Sequence, residues 1–302
     1  MTTFEGEREQ ALDEGDGDGR VDVARSPFKR FARRFRQQTV GVVAAGFLLL
    51  MVVVAVLAPL LATKDPNAQA LRSVLESPSG EHWLGTDDVG RDVFSRLVYA
   101  SRVSLLAASL AVSVALALGL VPGLVAGYAR GRIDGLIMRL ADAIMAFPPL
   151  ILAVALVGVL GPGLTNAMIA VGIVFSPRFL RVTRGAALSI REETYIEAAR
   201  GLGCGSFKII RRHVLPNVLS PLIVQISFAA GTAMLAEASL SFLGLGVQPP
   251  DASWGAMLGR AFRFYDRAPW VVMFPGLAIA LTVLAFNLLG DSLRDSIGRE
   301  ER

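Results

Sequence analysis

Charge is scarce in this sequence. Asp, Glu, Lys and Arg make up only 19% of its 302 residues, too few to cover the surface of a soluble domain of that length. Cysteine occurs once, at Cys204, which excludes an internal disulfide and leaves that residue as a small side chain in a turn. The two histidines, His82 and His213, are too few for a His/Cys metal cluster, and neither H-E-x-x-H nor a nucleophile elbow is present. No G-x-x-x-x-G-K-[ST] segment occurs, so the chain has no phosphate loop and is not expected to hydrolyse ATP. It reads as a non-enzyme.

What it has instead is apolar length. Hydrophobic residues make up 53% of the chain, in runs that reach or approach the ~20 residues needed to cross a bilayer as helix. Six such runs are read, at 40–62, 103–128, 144–160, 164–179, 218–236 and 271–289. The expectation is an all-α, polytopic membrane protein with six transmembrane helices. The first run is long and lacks a small-residue cleavage pattern, so it reads as a retained span rather than a signal peptide. Of the 30 Lys and Arg residues, 22 fall in segments that are cytosolic if the N-terminus is inside. The positive-inside bias therefore places both termini in the cytosol.

The organisation follows from composition. Residues 1–39 form a tail, acidic and Gly-rich to residue 24 and expected to be disordered there. Its basic part carries Phe28, Phe31, Ala32 and Phe35 at helical spacing among Lys29, Arg30, Arg33, Arg34 and Arg36. That pattern suits either a helix lying on anionic lipid or cations that simply orient the first span. Residues 40–102 hold the first span and an outer segment, and 103–302 the remaining core. In the outer segment Asp87, Asp88 and Asp92 lack the ligand alternation of a calcium loop, and Asp92 is spaced to pair with Arg96. No metal site is read there. Pro148 and Pro149 require a first-turn position or a kink. Near the membrane boundaries, Asp142 is spaced to pair with Arg139 and Asp291 with Arg294. Glu237 has no cation nearby in sequence and is expected to line the outer mouth of a substrate path or to face a partner.

The longest polar interruption, 181–217, contains ETYIEAARGLGCGSFKIIRRHVLPN. Thr194 and Glu197 stand in capping-box relation, so a helix is expected near Tyr195, with Tyr195, Ile196, Ala199 and Leu202 along one apolar edge. Gly201, Gly203 or Gly205 supplies its left-handed terminus, Ser206 caps a second short helix, and Pro216 marks a break before the next span. The expected product is a bent, rigid knob beneath the membrane, with His213 packing or pairing at its edge.

Glu197-Ala198-Ala199, then Gly203, then Leu215-Pro216, resembles the EAA loop of bacterial ABC-importer permeases. LGTDDVGRD with SRLVYASRVSL, MRLADAIMAFPPLIL, LSFLGLGVQPP before Trp254-Gly255, and NLLGDSLRD resemble the dipeptide/oligopeptide C-type subunits, in order along 82–295. Ser176-Pro177 departs from that pattern, in which tryptophan often precedes the proline. The resemblance implies a type I ABC-importer permease fold in a bacterial inner membrane, forming half of a path for di- or oligopeptides. Nickel complexes or other small solutes are alternatives within the family, and an ion-gradient-driven secondary transporter is the alternative outside it. It implies that Glu197, Ala198, Ala199, Gly203, Leu215 and Pro216 couple the chain to ATPase subunits, with Glu197 meeting a cation there. The implied partners are a second, B-type permease subunit, two nucleotide-binding ATPase subunits, an extracytoplasmic peptide-binding protein and membrane lipid, with no nucleic acid. No cofactor is expected in this chain, since ATP and Mg would be held by the ATPase subunits.

Overall fold

The computed structural model describes residues 27–298, so the acidic stretch at 1–24 lies outside the described residues. Within them the regular structure is helical, apart from a lone bridge between Thr86 and Asp92. The helices are α1 (Pro27–Gln37), α2 (Thr39–Val56), α3 (Ala58–Leu61), α4 (Val93–Ala129), α5 (Gly131–Met145) and α6 (Pro149–Leu160). They continue with α7 (Leu164–Arg191), α8 (Thr194–Gly201), α9 (Ser206–Ile209), α10 (Leu215–Phe242), α11 (Trp254–Ala261) and α12 (Trp270–Gly298).

Among the described residues, four helical stretches are long and apolar enough to cross a membrane: α2, α4, α9 through α10, and α12. The pair α5–α6 passes the same test only as one span broken by a 91° bend. The sequence led us to expect six spans, with a first-turn position or a kink at Pro148 and Pro149, and the difference in number has two causes. The third run, read at 144–160, is divided: Ile144 and Met145 finish α5, and α6 starts afresh with Pro149 in its first turn. Proline lacks the amide hydrogen a continuous helix would need there, and it disfavours helical geometry at Pro148 before it. The fourth run does not stop at residue 179 but continues as α7 to Arg191, and Arg178, Arg181, Arg184 and Arg191 dilute its hydropathy. The other spans are also longer than read or differently bounded. α4 gains a full ten residues before position 103, while the first span ends at Val56 and re-forms briefly as α3 around Pro59.

The bundle centres on α4 against α7, its most extensively packed pair. Gly119, Gly123 and Gly127 recur every fourth residue on α4 and form one face of it. A Cβ at Gly119 would fall 2.5 Å from the Phe179 Cβ, and one at Gly123 would fall 2.6 Å from the Thr183 Cβ. One at Gly127 would fall 2.7 Å from the Ala187 Cβ. The helices therefore touch backbone to backbone, the mode of close packing that small residues permit in membranes. Ser176 belongs to this seam: its carbonyl oxygen lies 2.8 Å from where a Gly119 Cβ would be, so a small residue there accompanies close contact. On the other side of the bundle, α11 lies across α10 through Gly255 over Ala238 and Gly259 over Phe242. α2 rests on α12 where Gly41 meets Ser292, and it exposes Val43, Leu49 and Val56 on a face with no polar residue to solvate. Such a surface belongs in lipid. Ahead of α2, α1 forms as its spacing predicts, with the Phe31 and Phe35 rings stacked 6.1 Å apart.

Candidate coupling knob and its support

α7 ends at Arg191, and Glu193, in extended geometry, starts α8. The expected capping box is not formed: Glu193 is the N-cap and Thr194 the first helical residue. Glu197 therefore sits one position too late to reach back, and its side chain is exposed. The expected end of the helix is found. Gly203 has φ +78°, its amide donates to the Arg200 carbonyl at 2.9 Å, and the Cys204 amide donates to the Ala199 carbonyl at 3.0 Å. These are the two bonds of a Schellman ending, which needs a residue in left-handed geometry at this position. Nothing lies within 4 Å of a Cβ placed on Gly203, so the backbone angle alone calls for glycine.

Gly205, not Ser206, precedes α9 as its N-cap, and the chain then widens into a π-helical turn, Ile210–Val214. Pro216 does not break the span as expected. It sits in the first turn of α10, and the wide turn before it absorbs the missing amide hydrogen and the ring's bulk.

Three apolar side chains pin the knob to the bundle. Ile196, Ile209 and Val214 are 0%, 1% and 0% exposed and join the main core, with Ala199, Cys204, Ile210 and Leu215 packed beside them. Each such burial is worth about 1.5–3 kcal/mol. Tyr195 and Leu202, expected on the same edge as Ile196, point outward instead. Leu202 is 86% exposed and Phe207 77%, beside Glu197, Ala198, Lys208, Arg211 and Arg212. Two large apolar side chains are thus left exposed in a segment that also carries charge. His213 packs its ring 6.0 Å from that of Tyr195, and its carbonyl accepts from Asn217 Nδ2 at 2.7 Å.

The base of the knob is braced by groups that sequence reading did not find. Arg200 of α8 and Arg191 of α7 both lie over the Tyr128 ring, at 5.3 and 5.6 Å, and Arg191 also donates to the Tyr128 carbonyl. Arg184 grips Asp134 of α5 with two hydrogen bonds, at 2.5 and 2.7 Å, and Arg130 pairs with Glu192. Asp142 bonds Arg181 at 2.6 Å rather than Arg139, so its partner comes from another helix. Among the described residues no ion pair joins Asp291 to Arg294. The partners in the Arg184–Asp134, Arg130–Glu192 and Arg181–Asp142 pairs are 39 to 62 residues apart in sequence, beyond the reach of helical spacing. The one available signal was the G-x-x-x-G-x-x-x-G run at 119–127, which brings α4 and α7 together.

At the opposite end of the bundle the outer-segment acids are committed to structure. Asp92 caps α4 instead of pairing with Arg96: its Oδ2 accepts from the Ser95 amide and hydroxyl at 2.8 and 2.7 Å, and its Oδ1 lies 2.9 Å from His82 Nδ1. Burial works against the charge on Asp92, but the bonds from Ser95 and His82 hold its carboxyl below the ordinary range. Arg96 reaches the Pro66 carbonyl at 2.9 Å and Asp87 at 3.6 Å, while Asp87 bonds Arg91 at 2.6 Å. Gly90, at φ +77°, lies against Ala70, whose carbonyl oxygen would be 1.9 Å from any Cβ. Glu237 is not at a mouth. It is 1% exposed, accepting from the Ser241 hydroxyl at 2.7 Å and approached by Ser104, whose oxygen in turn accepts the Trp254 amide. Small polar groups from α4 and the 241–254 segment thus take the place of the missing cation.

Residues 119–302 match the family described as binding-protein-dependent transport system inner membrane component, and residues 26–78 match the N-terminal transmembrane domain of oligopeptide transport permease C. The glutathione transport system permease protein GsiD of Shigella flexneri serotype 5b is 47% identical over 277 residues, 91% of either chain. Its counterpart in Escherichia coli O6:K15:H31 is 46% identical over the same share. Among solved structures, the inward-facing MetNI methionine ABC transporter aligns with a TM-score of 0.56 at 19% identity, covering 66% of this chain and 95% of that one, which supports the fold. The chain belongs to the binding-protein-dependent transport system inner membrane components, as a non-catalytic, membrane-embedded permease subunit of an ABC importer of the oligopeptide C type.

Proposed function

We propose that this subunit forms half of a translocation path for small peptides, glutathione among them, and that α8 with α9 is the seat of an ATPase subunit. The observation that carries the docking role is the division of the knob: Ile196, Ile209 and Val214 fix it to the bundle, while Glu197, Leu202 and Phe207 stand free. A surface that is both stiff and unsatisfied suits the transfer of force. Glu197 meets a cation of the ATPase, Ala198 allows close approach, and Ala199, Gly203, Leu215 and Pro216 hold the shape.

The family implies a second permease chain, ATPase subunits and a substrate-binding protein. In this reading the second chain is B-type, two ATPase subunits hold ATP and Mg, and the binding protein is extracytoplasmic. The Lys and Arg bias puts the knob and both termini in the cytosol of a bacterium's plasma membrane. The naming of these relatives as glutathione transport permeases supports glutathione as cargo, and glutathione is itself a γ-linked tripeptide.

The test is purification with its partner subunits and ATP-dependent uptake of labelled glutathione and of di- to pentapeptides into liposomes. Uptake of either without ATP, or of neither with it, refutes the proposal. Glu197→Lys tests docking separately: it is expected to release the ATPase during purification, and normal retention with normal coupling would reject the assignment.

A further inference from the structure

α7 carries four arginines, and three of them have polar partners. Arg181 meets Asp142, Arg184 meets Asp134, and Arg191 meets the Tyr128 carbonyl. Arg178 is different. Its guanidinium lies 5.3 Å over the Phe175 ring, and among the described residues no hydrogen bond or ion pair reaches it. It stands halfway along α7, with about 20 Å of helix on either side. A bilayer core is about 30 Å thick, so Arg178 falls within or at the edge of the apolar slab, where an ionised group is costly and usually functional.

Arg178 does not face lipid alone. It borders an open groove between α6, α7 and α10, whose walls include Pro149, Ala153, Phe175, Thr232 and Ser239. No acidic side chain lines this groove. A mostly apolar cleft with a few hydroxyls and one cation has the composition of a small-molecule site, here with its counter-charge missing. α6 begins only at Pro149, after the 91° elbow from α5, and Pro149 stands in the groove's wall.

We propose that Arg178 is an anion-binding group on the translocation path, taking the carboxylate of the passing solute. It does so as the groove's charged donor, since the Thr232 and Ser239 hydroxyls on the facing helix already donate to the Phe228 and Leu235 carbonyls at 2.8 Å. Phe175 keeps the guanidinium extended toward the groove, and its planar donors suit a carboxylate in two-point contact. This rests on the proposed peptide or glutathione cargo, since both carry a free carboxylate.

The experiment uses the complete importer in liposomes, with radiolabelled trialanine and glutathione as probes and Cys204→Ala as the background. Arg178→Gln is expected to lower uptake of whichever probe the parent complex carries by about tenfold or more, the worth of one charge-assisted contact, while all subunits still co-purify. Arg178→Lys is expected to keep most of the uptake. Arg178→Cys is expected to recover it after modification with a positively charged aminoethyl reagent but not with a negatively charged sulfonatoethyl one, and the probe is expected to slow that modification. Equal uptake by Arg178→Gln and the parent overturns the inference alone. Loss of the second permease chain from Arg178→Gln also overturns it, by assigning the cation to a partner carboxylate. A parent complex that carries neither probe removes the cargo reading on which it rests.

Discussion

The α4–α7 seam allows a substitution whose sign can be worked out in advance. Replacing a helical glycine by alanine normally stabilises by about 0.5–1 kcal/mol, because the unfolded chain loses freedom. Gly123→Ala should do the reverse. Its Cβ would be 2.6 Å from the Thr183 Cβ and 2.8 Å from the Leu180 carbonyl oxygen, and the latter is backbone and cannot rotate away. Ordinary contact begins near 3.4 Å, so the two helices must part by about 0.8 Å. A gap of that size forfeits about a quarter to a half of each dispersion contact along the seam, including those at Gly119 and Gly127. Overpacking of this kind costs about 1–3 kcal/mol, which outweighs the gain in helix propensity. Gly185 provides the control, because it lies within α7 and nothing comes within 4 Å of a Cβ there. Reversible unfolding of the purified subunit in mixed micelles, titrated with denaturing detergent, should show Gly123→Ala less stable than the parent and Gly185→Ala equal or more stable. Equal effects from the two substitutions would refute the backbone-contact reasoning.

Three further outcomes are expected. Because hydrogen bonds hold the Asp92 carboxyl below its ordinary range, its contribution is fully present above that range and is lost as pH falls through the depressed value. Thermal midpoints should therefore be insensitive to this group between about pH 5 and 8 and fall in stronger acid, and Asp92→Asn should flatten the acid limb at a cost in starting stability. Gly203→Ala forces a left-handed angle on an L-residue, which costs about 1–2 kcal/mol, so ATPase retention should weaken while the transmembrane helices stay folded by circular dichroism. A double-mutant cycle on Asp134→Asn and Arg184→Gln, read by the same detergent titration, should return a coupling of about 1 kcal/mol, and a value near zero would remove the pair from the brace of the knob.

Fold class was legible because it depends on apolar run length, a local quantity. The regular structure is helical where the runs predicted helix, and Phe31 and Phe35 stack as their spacing requires. The helix ending at Gly203 was legible for the same reason, since one residue type satisfies one backbone angle. Partners of charges were not. Spacing offered Arg139 to Asp142 and Arg96 to Asp92, but the bundle supplied Arg181 and His82 instead. A neighbour four positions away is always available, and whether it is used depends on which other helix arrives. Glu237 failed for a related reason: a carboxyl without a nearby cation can be satisfied by hydroxyls from elsewhere, and Ser104 is 133 residues away. The third and fourth runs misled because hydropathy locates the apolar slab and not the ends of helices that leave it.

The geometry of α10 joins these parts into one lever. From Ser206 the chain runs helically through the π turn to Phe242, so the exposed knob and the buried Glu237 belong to a single rod of 37 residues. At one end Ile209 and Val214 anchor the rod beside the exposed face that carries Leu202 and Phe207. At the other, Ser241 and Glu237 tie it to α4 and to the segment that leads into α11. Toward that same end, Thr232 and Ser239 line the groove that Arg178 borders. A displacement of the knob cannot be absorbed by a loop, because none separates it from the groove, and the π turn is the only wide turn between them. Close-packed elements respond to such a push by moving as bodies and not by deforming locally. α4 and α7, locked backbone to backbone at Gly119, Gly123 and Gly127, then form the body against which α10 moves. A subunit with no catalytic group of its own can in this way change the shape of a membrane groove in response to work done on its exposed surface.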